Sequence, residues 1–241
     1  MIKSFSADDE LSFLSENYKE VTDNISEAAL KAGVTPESVR LMAVTKTVAP
    51  RNINYLLDKG IDLIGENKVQ ELLGKIEFLN KPLPEIHIIG HLQSNKVRKI
   101  IDTVSMIQSV DSISLVKEIS RQAVMHSKTV DILLEVNIGE EEAKTGVAPE
   151  MLSSLAFEAA EYEGINIKGL MCVPPICETE AEVRRYFEKT RLLYDRLMSE
   201  LSGKSELSVL SMGMSGDYVP AILEGANLVR VGSALFGARR Y

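Results

Sequence analysis

Short apolar runs rich in valine, isoleucine and leucine alternate along the chain with longer amphipathic stretches. Bounded apolar runs of about four to eight residues are typical of buried strands, and amphipathic stretches are typical of surface helices. The pattern therefore predicts eight strands separated by helices. The strands are expected at 39–46, 62–66, 85–91, 106–110, 130–137, 165–173, 207–212 and 228–232.

Helix boundaries are also visible in the pattern. The amphipathic stretch that begins at Pro50 is expected to end at Gly60, because glycine suits the position after a helix. Ser112 is placed to begin the helix that runs to Val124. A further amphipathic helix over residues 6–32 precedes the first strand, and we expect it to cover the floor or the flank of the structure.

The repeated order of strand then helix implies an α/β fold with a parallel sheet. Eight such units in a chain of 241 residues fit a (β/α)8 TIM barrel, whose typical length is about 250 residues. A doubly wound open sheet is the alternative. We expect one barrel domain over residues 1–241, with an extra N-terminal helix.

Composition excludes several classes of protein. A hydrophobic content of 45% is enough for one core, and the net charge of −8 argues against nucleic acid or an anionic membrane as the main partner. No apolar run approaches the roughly 20 residues of a membrane helix, and the first ten residues do not resemble a secretory signal. We expect a cytoplasmic protein. Cys172 and Cys177 lack histidine neighbours and are interpreted as ordinary loop thiols.

The first strand ends at Lys46, whose amine would emerge at a strand tip. An ammonium surrounded by apolar walls loses hydration, so its pKa can fall toward about 7–8 and supply the neutral amine that attacks an aldehyde. The alternative is a solvated lysine at a strand end.

Two segments near the end of the chain, 209–217 and 227–237, each run from an apolar strand into a turn with glycine and serine. Glycine lets the main chain approach an anion and serine adds a hydroxyl donor, so adjacent turns of this kind can form a phosphate cup. Ordinary tight turns would also explain each one. In a barrel these turns adjoin the first strand, so Lys46 faces the cup. An amine facing a phosphate pocket suggests an aldehyde-bearing phosphate, and pyridoxal 5′-phosphate (PLP) fits that description.

Seven ordered blocks carry a family resemblance over almost the whole chain. They are 43–47, 65–71, 86–96, 135–138 with 144–146, 169–171, 211–215 with Asp217, and 229–233 with 236–239. With these blocks the sequence resembles the YggS/PROSC family of PLP-binding proteins, known as PLP homeostasis proteins. The resemblance implies a barrel similar to the N-terminal domain of alanine racemases, with PLP held as a Schiff base and no second domain closing over it.

The resemblance also implies roles for individual residues. Lys46 would form the Schiff base, and Ser215 with the turn of Gly232 and Ser233 would bind the phosphate. Asn67 and Met214 would line the ring or phosphate pocket, whereas patterning alone makes Met214 a core filler. No catalytic residue and no metal site is assigned.

The same resemblance implies that Arg230 would face the pyridine nitrogen of PLP. An arginine is always charged and cannot accept a proton, so it favours an unprotonated pyridine and weakens the ring as an electron sink. From the residues alone, Arg230 could equally be a salt-bridge partner on the barrel floor. His91 lies at a strand tip, where either an acid–base group or a surface histidine fits, and Asp217 is expected to cap the next helix.

The expected function is a PLP-binding protein of cellular PLP homeostasis that buffers, carries or delivers PLP without significant turnover. A PLP-dependent racemase-like enzyme is the main alternative, and a Schiff-base aldolase acting on a phosphorylated sugar is the other. The expected partners are PLP and apoenzymes that require it, and the chain is expected to be a monomer.

Overall fold

The computed structural model describes residues 7–141 and 143–237. The helix start expected at Ser6 and the last two residues of the block 236–239 lie outside the described residues. Eight parallel strands close into a barrel in chain order, with the last strand paired to the first. The closed sheet confirms the (β/α)8 barrel, and the doubly wound alternative is wrong. The strands are β1 (Arg40–Val44), β2 (Leu63–Glu66), β3 (Glu85–Ile88), β4 (Met106–Val110), β5 (Val130–Val136), β6 (Ile165–Cys172), β7 (Val209–Ser211) and β8 (Leu228–Val231).

Helices cover the outside of the barrel. Between β3 and β4 the connection is a 3-10 helix, Ser94–Lys99, rather than an α-helix. The helix from Pro50 ends just before Gly60, which has a φ of +111°, as the position of this glycine predicted. The α-helices are α1 (Ala7–Lys31), α2 (Pro50–Asp58), α3 (Val69–Lys75), α4 (Ile113–Met125), α5 (Leu152–Ala159), α6 (Glu180–Glu200), α7 (Tyr218–Leu223) and α8 (Ser233–Phe236).

Side chains alternate between the barrel interior and the layer under the helices. Ala43 and Val231 face the helices, where they join the main hydrophobic core. Met42 and Leu228 face inward and form a separate apolar cluster with Leu63. Because Arg230 follows Leu228 by two residues, it also faces the interior, and it is 3% exposed.

The N-terminal helix α1 packs on the flank of the barrel. Its buried positions, Leu14, Val21, Ile25, Ala28 and Ala29, form one stripe of the helix. Helix α1 contacts α7, α8 and α2. The helix therefore covers the seam where the last strand meets the first, and not the floor.

Both cysteines are free thiols, and their positions differ from the expected loop. Cys172 is fully buried as the last residue of β6, and only Cys177 lies in the loop. Burial raises the pKa of the Cys172 thiol to about 11, so this thiol stays protonated at neutral pH. Within the described part of the chain, no helix has both the length and the apolar character that a membrane crossing requires.

Candidate functional site

The carboxyl ends of the strands collect the predicted residues at one end of the barrel. Lys46 follows the last residue of β1 by two positions and is partly buried. Asn67 comes directly after β2, and its buried Oδ1 atom has no hydrogen-bond partner among the described residues. Ser215 and Gly232 follow β7 and β8. Since all strands are parallel, these four residues share one face of the barrel.

The turns after β7 and β8 are in direct contact. The Oγ of Ser215 accepts hydrogen bonds from the N–H of Gly232 at 3.0 Å and from the N–H of Ala234 at 3.2 Å. A Cβ atom added to Gly232 would lie 3.4 Å from the Cβ of Val44 in β1. The paired turns therefore adjoin the strand that leads to Lys46. Ala234 was not among the predicted residues, because alanine has neither a polar side chain nor the backbone freedom of glycine to mark it as a donor.

The loop before α7 differs from two expectations. Met214 is 37% exposed, so its interpretation as a core filler is wrong. Asp217 occupies the position before α7, but its carboxylate accepts the N–H of Met214 instead of capping the helix. Burial raises the pKa of Asp217, although the Met214 N–H and the charge of Arg230 oppose the shift. Ser233, in the neighbouring turn, is exposed.

Arg230 lies inside the barrel below the paired turns. Its guanidinium donates to the hydroxyl of Ser211 at 2.7 Å and to the carbonyl of Cys172 at 2.8 Å. It makes no ion pair with any described carboxylate, so its interpretation as a floor salt bridge is wrong. Burial lowers the pKa of Arg230, and the negative charges of Asp217 and Glu135 only partly oppose this shift. A buried cation without a counter-ion can still receive an acceptor atom from a ligand.

A chain of hydrogen bonds runs from Arg230 through the barrel to its opposite end. Ser211 accepts from Arg230 and donates to Gln108 Oε1 at 2.7 Å. Gln108 Nε2 therefore faces His87 Nδ1, at 2.9 Å. Because the amide nitrogen can only donate, Nδ1 accepts and the imidazole proton lies on Nε2. That nitrogen is 3.7 Å from a carboxylate oxygen of Glu85.

Burial lowers the pKa of His87, so the neutral form required by this chain is also the form favoured by the site. The Nε2–H group of His87, 3.7 Å away, together with the charge and hydrogen bonds of Arg40, lowers the pKa of Glu85 to about 2. Sequence reasoning missed Ser211, Gln108 and His87 as a set, since they belong to three different strands.

Beside Lys46 lies a second group of residues that the sequence did not single out, which we call the Lys75 cluster: Thr45, Glu66, Glu71 and Lys75. The Lys75 ammonium donates to the Thr45 carbonyl at 2.8 Å, to Glu66 at 2.9 Å and to Glu71 at 3.0 Å. Glu66 is fully buried, and burial raises its pKa despite hydrogen bonds from Thr45 and Lys75. The i,i+4 spacing of Glu71 and Lys75 was the only available sequence signal.

His91 lies outside this arrangement. Its side chain is 56% exposed, and its Nδ1 is 3.8 Å from a carboxylate oxygen of Asp111. Of the two interpretations offered by the sequence, the surface histidine fits this exposure.

Comparison with known proteins places the chain in a family. Residues 17–240 match the family model of the alanine racemase N-terminal domain. The pyridoxal phosphate homeostasis protein of Aquifex aeolicus is 41% identical over 94% of this chain and 98% of its own. That of Pseudomonas aeruginosa is 38% identical over 96% of this chain and 98% of its own. The chain belongs to the pyridoxal phosphate homeostasis protein family.

Solved structures agree with this family assignment. PipY of Synechococcus elongatus, a structure with PLP bound, is 33% identical with a TM-score of 0.78, covering 88% of this chain and 100% of PipY. A protein of Bifidobacterium adolescentis described as unknown is 37% identical with a TM-score of 0.90, covering 97% of this chain and 98% of that one. Alanine racemase of Corynebacterium glutamicum, at 14% identity and a TM-score of 0.70, shares the fold over 96% of this chain and 62% of that one.

Proposed function

We propose that this member of the pyridoxal phosphate homeostasis protein family binds PLP at the carboxyl end of the barrel and holds it for cellular PLP homeostasis. Lys46 would bind the aldehyde as a Schiff base, and Arg230 would face the pyridine nitrogen. Asn67 and Met214 would line the pocket. The phosphate would bind at Ser215, Gly232 and Ser233. Residues 1–241 would form one PLP-binding domain, because the eight strands close into a single barrel and α1 packs on it.

The contact between the two turns is the observation that carries this proposal. Ser215 Oγ accepts from the N–H groups of Gly232 and Ala234 at 3.0 and 3.2 Å, so its own proton is left to donate, and a bound phosphate oxygen would take the two amide donors over from it next to β1. Converging donors of this kind suit a phosphate dianion. The orphaned Oδ1 of Asn67 and the buried guanidinium of Arg230 supply further polar groups at the same end. These groups fit PLP.

When bound, PLP supplies an aldehyde that condenses with an amine and a ring that withdraws electrons from bonds next to that nitrogen. The residues around it favour holding over turnover. Arg230 donates hydrogen bonds but stays charged and gives up no proton at neutral pH, so it would leave the pyridine nitrogen unprotonated. We therefore propose a carrier or buffer of PLP, with apoenzymes that require PLP as the recipients, and a racemase-like activity as the alternative.

The test uses the purified protein with added PLP. Borohydride reduction followed by peptide mapping should place the pyridoxyl group on Lys46, and Lys46→Ala should abolish the visible absorption band. Lys59→Ala, an exposed lysine on the neighbouring helix end, is the control and should bind normally. Label confined to another lysine would refute the site.

The same preparation distinguishes a carrier from an enzyme. We expect negligible exchange of the α-proton of alanine in deuterated water and transfer of PLP to an added apoenzyme. Turnover in the usual enzyme range of about 1–1,000 per second would refute the carrier role in favour of the racemase-like one.

A further inference from the structure

The residue after Lys46 has an unfavourable backbone conformation. Thr47 has a φ of +63°, in the left-handed region that β-branched residues rarely adopt. Its hydroxyl donates to the carbonyl of Lys46 at 2.6 Å. Such a conformation persists only where surrounding contacts hold it. Residues in strained conformations are often found beside reactive side chains, where the strain helps to position the reactive group.

The Lys75 cluster supplies those contacts on both sides of Lys46. On one side, Lys75 Nζ donates to the carbonyl of Thr45 at 2.8 Å. On the other, the N–H of Thr47 donates to the carboxylate of Glu71. Glu71 and Lys75 are themselves joined at 3.0 Å. The backbone that carries Lys46 is thus held at its preceding carbonyl and its following amide by one ion pair.

The ion pair is anchored from below. Lys75 is 6% exposed and Glu66 is fully buried, and they are joined at 2.9 Å. The three donors of the Lys75 ammonium are matched by the three oxygen partners of Thr45, Glu66 and Glu71. Rotation of Lys75 would break at least one of these bonds, so its position is well defined.

We propose that Glu71 and Lys75 are positioning residues for Lys46, which hold the strained turn so that the amine is presented to PLP. This inference rests on the proposed function, in which Lys46 is the residue that binds the aldehyde. Neither Glu71 nor Lys75 needs to contact PLP. Their contribution is to restrict the backbone on either side of Lys46 before the ligand arrives.

The first experiment compares Glu71→Gln with the wild-type protein. The amide keeps the shape of the side chain, but it loses the charge that holds both Lys75 and the Thr47 N–H. Schiff-base formation with added PLP, followed by stopped-flow absorbance, should slow by about tenfold, the factor that corresponds to releasing one left-handed residue. In the protein without PLP, hydrogen exchange of the Thr47 amide, measured by NMR, should accelerate by a similar factor.

Glu77→Gln is the matched control, because Glu77 is exposed and lies six residues further along the same segment. It should leave both rates unchanged. A thermal melt of each variant establishes that it is folded. If Glu71→Gln does not fold, Glu71→Asp replaces it, since the shorter side chain keeps the charge near Lys75 but cannot also reach Thr47.

A rescue separates positioning from a general loss of structure. Glycine adopts the left-handed region at little cost, so Thr47→Gly in the Glu71→Gln background should restore the rate of Schiff-base formation to within about threefold of wild type. A wild-type rate in Glu71→Gln, or no recovery in the double variant, would overturn the inference. Failure of the proposed function has a different signature: the wild-type protein itself would give no label on Lys46, and the Thr47 exchange rate would still decide whether Glu71 holds the turn.

Discussion

Ser215 has two tasks at the level of a single residue. Its hydroxyl oxygen joins the two turns by accepting from Gly232 and Ala234, and its hydroxyl proton remains available to a phosphate oxygen. Ser233 is exposed and offers its hydroxyl from one turn only. The two serines therefore contribute unequally, although the sequence presented them as equivalent.

We expect Ser215→Ala to weaken PLP binding by about tenfold to a hundredfold, because a hydrogen bond to a charged group contributes roughly 1.5–3 kcal/mol. Ser233→Ala should have the smaller effect. An absorbance titration with PLP measures both, and Ser202→Ala, in the exposed segment between α6 and β7, is the control. Unchanged affinity in Ser215→Ala would place the phosphate elsewhere.

His87 gives a pH dependence that follows from its surroundings. Burial lowers its pKa below 6.5, whereas the unfolded chain has the ordinary value. As the pH falls through 6.5, the unfolded state takes up a proton that the folded state resists, so the free energy of unfolding decreases. The facing groups are Glu85, Arg40 and Asp131, and they do not remove the effect of burial.

Between about pH 8 and pH 5, wild type should therefore lose stability relative to His87→Asn, with a limiting slope of about 1.4 kcal/mol per pH unit below 6.5. Asparagine keeps an acceptor for Gln108 and does not titrate. Urea unfolding at a series of pH values measures the difference, with His126→Asn at the surface as the control. Parallel pH profiles for wild type and His87→Asn would contradict a buried neutral histidine.

At the level of elements, the order of strands and helices follows from the sequence alone, because buried parallel strands are continuous apolar runs. Strand β8 shows what prediction from the apolar pattern cannot reach. Its apolar residues predict the strand, but they do not predict that Arg230 donates hydrogen bonds to Ser211 of β7 and to the Cys172 carbonyl of β6. Such contacts depend on the register of the strands around the barrel. The Lys75 cluster was missed for a similar reason, since a lysine on a helix is normally solvated.

Strand β6 contains Gly169, whose added Cβ atom would meet the shortest contact found at any described glycine. Gly169 has a φ of +151°, and a Cβ atom there would lie 1.8 Å from the carbonyl oxygen of Val209 in β7. The register with β5 shifts between Ile132 and Leu133, beside this glycine. Any side chain at position 169 would therefore push β7 away from β6.

Gly169→Ala should lower the free energy of unfolding by about 2–4 kcal/mol, since the displaced neighbour is backbone and cannot rotate aside. Gly203→Ala is the matched control: it also has a positive φ, of +80°, but nothing lies within 4 Å of its added Cβ. That variant should cost only about 1 kcal/mol. Urea unfolding of both variants decides the matter, and equal losses would mean that the contact with Val209 is unimportant.

For the molecule as a whole, α1 connects the N-terminal segment to the site. Asn17 Nδ2 donates to the carbonyl of Leu235 in α8 at 2.9 Å, and Asn24 Nδ2 donates to the hydroxyl of Tyr218 in α7 at 3.1 Å. These two short helices begin directly after the turns joined by Ser215. The packing of α1 thus supports both turns from outside the barrel.

Asn17→Ala should weaken PLP binding by about threefold, because losing a neutral hydrogen bond of roughly 1 kcal/mol loosens α8 without touching the site. An absorbance titration tests this. Lys19→Ala, on the solvent side of the same helix, is the control, since the Lys19 side chain is 78% exposed. Equal affinities for Asn17→Ala and wild type would show that α1 and the turns are independent.

Just as the docking of α1 supports the binding of PLP, bound PLP would stabilise the docking of α1. Free-energy coupling between two events is reciprocal, so whatever factor the docking of α1 adds to the affinity for PLP, bound PLP must add to the docking of α1. Under this coupling, α1 would open more often when the barrel is empty than when PLP is bound. Any partner that binds the exposed face of α1 and displaces this helix from the barrel would lower the affinity for PLP by the same factor. Such a partner would release PLP without entering the barrel.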